Sequence, residues 1–111
     1  MKARPMKQTD SGQIDCTPEE ATHVWLNMPG PLPYRCIPIV HGNATRKGTP
    51  CWSWNGDVEK PTLKPSIRTK GGGTKNSIVC HSFVNDGKVQ FLGDCTHEFA
   101  NKTVDLLEVD I

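Results

Sequence analysis

The alternation of apolar and polar residues in the second half of the chain predicts a β-hairpin. Residues 79–84 are rich in amino acids that favour strands, and residues 89–92 resume the same pattern. Between them, Asn85-Asp86-Gly87 is a turn signal, because glycine adopts positive φ angles without steric cost. The pattern therefore predicts two antiparallel strands joined by a tight loop.

Two registers of this hairpin are compatible with the pattern. A three-residue loop closed by a glycine bulge places His81 opposite Phe91, on the apolar face. A two-residue Asp-Gly loop shifts the pairing and places Cys80 opposite Gly93. The residues that share a face therefore depend on the loop length, and both registers stay open at this point.

Capping signals predict two helices. Thr17 as the N-cap, Pro18 at the first position and Glu20 in a capping box begin the first helix, which is predicted to end near Asn27. Asp94 is a suitable N-cap for a second, short helix over the following six residues. Both helices are expected to pack on a sheet of short strands.

Together these elements predict an α+β, β-rich fold. It would be a small barrel or sandwich of short antiparallel strands, with one N-terminal helix and one short helix near the C-terminus. Residues 1–14 show no folding pattern and are predicted to be a flexible start, and residues 15–111 to be a single domain. Only 35% of the 111 residues are hydrophobic, with a mean hydropathy of −0.50. A core this thin would gain from a bound metal or from contacts in a homo-oligomer.

Two tryptophans stand close together in a short predicted strand. Trp52 and Trp54 alternate with Ser53, so both indoles are predicted on one face of the sheet. One interpretation is that this face belongs to the core, which we favour for Trp54. The other is that Trp52 stacks on a bound base or partner, which makes it a candidate ligand-binding residue.

Cysteine and histidine side chains lie on the first strand of the hairpin and shortly after the second strand. Cys80 is in the first strand, and Cys95 and His97 follow the second strand. Thiolate and imidazole groups are ligands that zinc prefers. The sequence therefore predicts a zinc site held by Cys80, Cys95 and His97, with Cys36 as the fourth ligand. The alternative is that Cys80 and Cys95 are small buried hydrophobic residues.

Two polar residues beside this cluster are further candidates for ligand binding. His81 is interpreted first as a hydrogen-bonded core histidine, and second as a ligand or a base. Asp94 is interpreted first as a helix cap, and second as the partner that orients a ligand histidine. A thiol of this segment paired with His81 or His97 would also supply the nucleophile and the base of a hydrolase.

Four short motifs occur in a fixed order: Trp54-Asn55-Gly56, Pro61-Thr62 with Pro65-Ser66, Cys80-His81-Ser82-Phe83, and Asp94-Cys95-Thr96-His97. With these motifs the chain resembles a family of small proteins encoded by tailed phages and prophages, which often carry the label ammonia monooxygenase. Many members have a Cys-Pro-Gly-Cys segment followed by His, where this chain has only Cys36 and His41. The resemblance implies a viral origin and a small domain, without a defined reaction.

Charge and hydropathy exclude several classes of protein. A net charge of +1 gives no basis for binding nucleic acid. The sequence contains no apolar run long enough to span a bilayer and no signal-peptide pattern. The chain is therefore expected in the cytoplasm of a bacterial host cell, where its five cysteines would stay reduced.

Three functions are compatible with these observations. The first is a phage-encoded accessory protein: a non-catalytic, zinc-stabilised domain that binds a host protein or a component of anti-phage defence. The second is a zinc-dependent or Cys/His-dependent hydrolase. The third is an oligomer that sequesters a small nucleotide, using the tryptophan pair and the glycines at 71–73. The expected partners are therefore a protein or a nucleotide, and the expected cofactor is zinc.

Overall fold

The computed structural model describes residues 1–30, 33–40, 51–71 and 78–109. These ranges contain nine β-strands and one short 3₁₀ helix, Pro18–Glu20. In chain order the strands are β1 (Ala3–Thr9), β2 (Gly12–Asp15), β3 (His23–Asn27), β4 (Tyr34–Val40), β5 (Trp52–Trp54), β6 (Leu63–Gly71), β7 (Ile78–Asn85), β8 (Lys88–Phe91) and β9 (Thr103–Asp105).

The strands form one open sheet in the order β2-β1-β3-β4-β5-β6-β7-β8-β9. Neighbouring strands are antiparallel except β4 and β5, which are parallel. Buried apolar side chains from both halves of the sheet belong to one cluster, so the two halves bury the same core. The largest members include Leu26 and Ile39 from the first half, and Leu63, Val84 and Phe91 from the second half.

The expected α+β fold is wrong, because the described residues form an open, nearly all-β sheet instead of a barrel or sandwich with two helices. Where the N-terminal helix was predicted, the chain makes one 3₁₀ turn and then enters β3. In β3, Val24 and Leu26 are buried and their neighbours are half-buried, which is the period of two of a strand. Pairing with both β1 and β4 outweighs the local capping signal.

The predicted C-terminal helix is also replaced, because the chain forms isolated turns from residue 93 to residue 101. Side chains at the start of the predicted helix bind β7 instead of capping a helix. The Asp94 carboxylate binds the His81 ring, and the Thr96 hydroxyl accepts a hydrogen bond from the backbone N–H of Val79. In the part of the chain that the structure describes, no helix is long and apolar enough to cross a membrane.

The N-terminal residues, which show no folding pattern in the sequence, form the hairpin of β1 and β2. Ala3 and Met6 are buried in β1. The Arg4 guanidinium binds the Asp15 carboxylate across the hairpin, with an Nε–Oδ1 distance of 2.6 Å. The sequence shows only a weak strand signal here. The strand forms all the same because it pairs with β3, which is distant in the sequence.

The β7–β8 hairpin has the shorter of its two possible loops. Asn85 pairs with Lys88, so the loop is the two-residue Asp86-Gly87 turn. Both turn residues have positive φ angles, 52° and 76°, as a type I′ turn requires. In this register His81 does not lie on the apolar face with Phe91, because a one-residue shift exchanges the two faces of a strand. His81 therefore points to the outer face of the sheet.

The two tryptophans differ in their burial. Trp54 is 6% exposed and belongs to the core, as expected, whereas Trp52 is half-buried at the core margin. Replacing Trp54 with alanine should lower the free energy of unfolding by about 3–5 kcal/mol, since it leaves a large cavity. Urea denaturation followed by circular dichroism measures this change. Trp54→Phe is the matched control and should lose less stability. A Trp54→Ala protein as stable as the parent would contradict the core assignment.

Candidate active site

Three polar side chains form a hydrogen-bonded chain on the outer face of the sheet. The Oγ of Ser66 lies 3.0 Å from the Nε2 of His81. The Nδ1 of the same ring lies 2.9 Å from the Oδ2 of Asp94 and 3.2 Å from its Oδ1. The order hydroxyl, imidazole and carboxylate is the arrangement with which a serine is activated as a nucleophile.

An irregularity in β6 positions Ser66. Leu63 pairs with Val84 and Ile67 pairs with Ser82, so three residues of β6 lie opposite a single residue of β7. Bulges of this kind bend a strand and change the direction of its side chains. Residues 64 and 65 are exposed and Ser66 is half-buried, whereas its neighbour Ile67 returns to the core.

Strand pairing brings His81 to Ser66. Arg68 pairs with His81, and Ser66 lies two residues before Arg68 on the same strand. Diagonal cross-strand neighbours on one face are within reach of a long side chain. The histidine ring therefore reaches the serine across the β6–β7 ladder. The indole N–H of Trp52 also donates to the carbonyl oxygen of Ser66 at 3.1 Å, which holds the serine backbone from the β5 side.

The segment after β8 brings Asp94 to the other side of the histidine ring. The N–H of Leu92 donates to the carbonyl of His81 at 2.9 Å, and the N–H of Thr96 donates to the carbonyl of Val79 at 3.1 Å. These bonds attach the segment to β7 on both sides of Asp94. The carboxylate therefore remains beside His81 although the Asp94 side chain itself is about half exposed.

Cys95 fixes the backbone of the same histidine. Its buried thiol accepts a hydrogen bond from the N–H of His81 at 3.3 Å and donates to the carbonyl of His81 at 3.2 Å. The thiol contacts the backbone and not the ring, so Cys95 is not arranged as a nucleophile with His81 as its base. Its position instead supports the placement of the imidazole.

The charge of the Asp94 carboxylate determines the direction of its hydrogen bond with the His81 ring. The hydrogen bond from His81 lowers the pKa of Asp94 below its ordinary value, with a smaller effect from the charge of Arg68. The ionised carboxylate can only accept, so the Nδ1 of His81 carries the proton that it donates. When the ring is neutral, Nε2 has the lone pair that can accept a hydrogen bond from the Ser66 hydroxyl. This is the tautomer that a general base requires.

The residues predicted as zinc ligands differ in their burial, and Cys80 and His97 both lie near Arg35. Cys80 is buried in the core, and this burial raises the pKa of its thiol, an effect that the charge of Arg35 partly offsets. His97 packs against Phe91 at a centroid distance of 5.0 Å. Cys36 is on the exposed side of β4, where its sulfur contacts the amide of Gln13.

Across the ranges that the structure describes, no group of three or more histidine, cysteine, aspartate or glutamate side chains is arranged to hold a metal ion. Zinc binding by Cys80, Cys95, His97 and Cys36 stays a prediction. His41, which the family pattern placed near Cys36, lies outside the described residues, as do the glycines at 72 and 73.

The burial of His97 predicts that the stability of the fold depends on pH. The Nε2 of His97 is buried and has no hydrogen-bond partner among the described residues. Burial is the main cause of the lowered pKa of His97; Glu98 raises this pKa and Arg35 lowers it further. The unfolded chain therefore takes up the proton at a higher pH than the folded one. Stability should fall as the pH drops below about 6.5, the ordinary histidine value. In urea unfolding at about pH 8 and about pH 5, His97→Phe should lose less stability than the parent. Equal losses in both proteins would contradict this.

Sequence reasoning identified two members of the chain of side chains and missed the third. His81 and Asp94 were candidates for ligand binding, but His81 was interpreted first as a core histidine and Asp94 as a helix cap, and their contact was not predicted. Ser66 was overlooked because it lies in no glycine-flanked nucleophile motif such as Gly-x-Ser-x-Gly. Ser66 nevertheless belongs to the Pro65-Ser66 motif, and it precedes His81 and Asp94 in the order Ser, His, Asp.

A serine hydroxyl, a histidine ring and a carboxylate bonded in this order are the arrangement found in serine hydrolases. A protein-family comparison agrees with this geometry. Residues 33–92 match the model of a family described as "Bacterial ubiquitination-like system serine protease (BubE)". Because the match covers more than half of the 111 residues, the chain belongs to the BubE family. Comparisons with curated proteins and with solved structures give no match.

The family match corrects the resemblance inferred from the motifs. The chain was compared with the phage and prophage family often labelled ammonia monooxygenase, whereas the family model that it matches is BubE. The motifs themselves are informative, since Ser66 and His81 both lie in the matched range and Asp94 lies two residues after it. Motif order was read correctly, but the family to which it was attributed was wrong.

Proposed function

We propose that this protein is a serine protease in which Ser66 is the nucleophile, His81 the general base and Asp94 the group that orients the base. The observation that carries this proposal is the pair of hydrogen bonds through one imidazole ring, 3.0 Å to Ser66 and 2.9 Å to Asp94. Both distances are in the range at which a base takes a proton directly.

In the first half of the reaction, the Oγ of Ser66 attacks the carbonyl carbon of a peptide bond. The hydroxyl proton passes to the Nε2 of His81, and the imidazolium is stabilised by the ionised Asp94. The tetrahedral intermediate then collapses with cleavage of the C–N bond, and the proton on Nε2 passes to the leaving amine. The product is an ester of Ser66 and a free amine.

In the second half, water takes the place of the amine. His81 removes a proton from the water, whose oxygen attacks the acyl carbon, and the proton then returns to the Oγ of Ser66 as the ester bond breaks. A carboxylic acid is released. The half-buried position of Ser66 and His81 allows water to reach the ester, while the attachment of Asp94 through the Leu92 and Thr96 backbone keeps the base in the same orientation.

The family description supports proteins as the substrates. A bacterial ubiquitination-like system attaches one protein to others, so a protease that belongs to such a system acts on protein partners. We therefore propose that the partners of this chain are proteins of that system, in the bacterial cytoplasm. The binding of a host or defence component by a non-catalytic zinc domain and the sequestering of a nucleotide remain predictions from the sequence.

A fluorophosphonate probe tests the proposal, because such probes form a covalent bond only with an activated serine hydroxyl. We expect one label per chain, located on Ser66 by peptide mass mapping, and no label after His81→Ala. Iodoacetamide, which alkylates thiols, should leave labelling unchanged. A protein that does not react with the probe, or that loses hydrolysis with thiol alkylation while Ser66→Ala keeps it, would contradict the serine mechanism and favour the Cys/His hydrolase.

A further inference from the structure

An open groove is lined in part by Lys64 and Pro65, the two residues that precede the proposed nucleophile in β6. It has a volume of about 470 Å³, within the usual range of ligand pockets. We call it the Phe83 groove; it is lined by Thr62, Lys64, Pro65, Phe83, Asn85 and Gln90, among others.

The groove and the proposed site share two strands, β6 and β7. Lys64 and Pro65 precede Ser66 on β6, and Phe83 follows His81 by two residues on β7. Residues separated by two positions on a strand share one face and lie about 6.6 Å apart along it. The groove is therefore a continuation of the catalytic face, one side-chain position from the His81 ring.

The exposure of Phe83 is an observation that the fold does not explain. The side chain is 43% exposed in β7, opposite Gln90, and it is not a member of the buried core cluster. Phe83 and Pro65 provide an apolar surface in the groove. An exposed aromatic ring beside a nucleophile is typical of a surface that binds an apolar ligand group.

The border of the groove carries polar and charged groups. Thr62, Asn85 and Gln90 provide hydroxyl and amide groups that can bind a peptide backbone. Lys64 is exposed, and in the described part of the chain no ion pair involves it. A groove with an apolar floor and a hydrogen-bonding border fits a peptide better than a long acyl chain, because an acyl chain would leave the polar groups of the border without partners. The free ammonium group favours a neighbouring carboxylate.

We infer that the Phe83 groove selects the substrate of the proposed serine protease: it binds a bulky apolar side chain of an extended peptide, close to the cleaved bond, with an acidic residue of the peptide against Lys64. This inference rests on the proposed function, since it names the substrate class of the same site. Phe83 and Lys64 are specificity residues that do not take part in the proton transfers.

A library of acetylated synthetic peptides with randomised positions, analysed by mass spectrometry after incubation with the purified protein, tests the inference. We expect cleavage that depends on Ser66 and favours Phe, Leu or Met over Gly at one position near the cleaved bond by about tenfold. Phe83→Ala should remove most of this preference. Gln90→Trp, which narrows the groove from the strand opposite, should do the same. Lys64→Glu should reverse a preference for Asp and Glu.

Tyr34→Ala is the matched control, because Tyr34 is also an exposed aromatic residue but lies on β4, outside the groove. It should keep both preferences. Cleavage that depends on Ser66 but shows no apolar preference, or a preference that both groove variants retain, would overturn the inference while the proposed function stands. Hydrolysis of long-chain acyl esters without any peptide cleavage would overturn it in favour of a lipid-like substrate. A complete lack of Ser66-dependent reaction would overturn the proposed function itself, and this inference with it.

Discussion

Replacing Ser66 with alanine is expected to remove nearly all hydrolysis of p-nitrophenyl acetate by the protein. The variant lacks the oxygen that attacks the ester carbonyl, and loss of the nucleophile in such sites lowers kcat by about 10⁴-fold to 10⁶-fold. The release of p-nitrophenolate measures the rate. The fold should be retained, because the Ser66 hydroxyl is half-buried and its hydrogen bond is to His81 on the outer face.

Ser82→Ala provides the matched control for this experiment. Ser82 is adjacent to His81 in β7 but points to the opposite, buried face of the sheet, away from Ser66. The control should hydrolyse the ester at the rate of the parent protein. Retained hydrolysis in Ser66→Ala, with a melting temperature like that of the parent, would refute the assignment of the nucleophile.

The second large effect is expected for Asp94→Asn, which should lower kcat by about 10³-fold to 10⁴-fold. The asparagine side chain has the same size, but it presents an amide that can donate to the Nδ1 of His81. The ring would then hold its proton on Nε2, which is the tautomer that cannot take the proton of Ser66. The same esterase assay, run with a thermal melt, separates this chemical effect from unfolding.

The melting temperature of Asp94→Asn should stay close to that of the parent, since the side chain is exposed and its segment is attached by backbone bonds of Leu92 and Thr96. Asp10→Asn is the matched control: it removes an equally exposed carboxylate in the turn between β1 and β2, and it should keep full activity. If Asp94→Asn hydrolyses the ester as fast as Asp10→Asn, Asp94 does not orient the base.

Local signals in the sequence were sufficient where one short segment decides the structure. The β7–β8 hairpin was located correctly because the Asp86-Gly87 turn and the flanking alternation act within a few residues. Its register was not determined, because a three-residue and a two-residue loop fit the same pattern. The register decides whether His81 faces the core or the outer surface. A histidine that faces the core would not suggest a catalytic role.

The predicted helices show the opposite case. Thr17, Pro18 and Glu20 form a true local start signal, and the structure contains one 3₁₀ turn there. Whether the chain continues as a helix depends on what it packs against, and β1 and β4 pair with residues 23–27 on both sides. At the other end, Asp94 is used by a histidine thirteen residues away instead of by its own backbone. Propensity is a weak effect compared with such pairing.

The sequence by itself determined that the chain is rich in β-strands, favoured Trp54 as a core residue, and placed candidate site residues between Cys80 and His97. Only the tertiary structure brought Ser66 to His81 and Asp94. Ser66 is fifteen residues from His81 and lies in another strand, so their 3.0 Å contact depends on the β6–β7 register and on the bulge that turns the serine outward. A site built from side chains on three separate segments leaves no spacing signal in the sequence, because the distances that matter are set by strand pairing across the sheet.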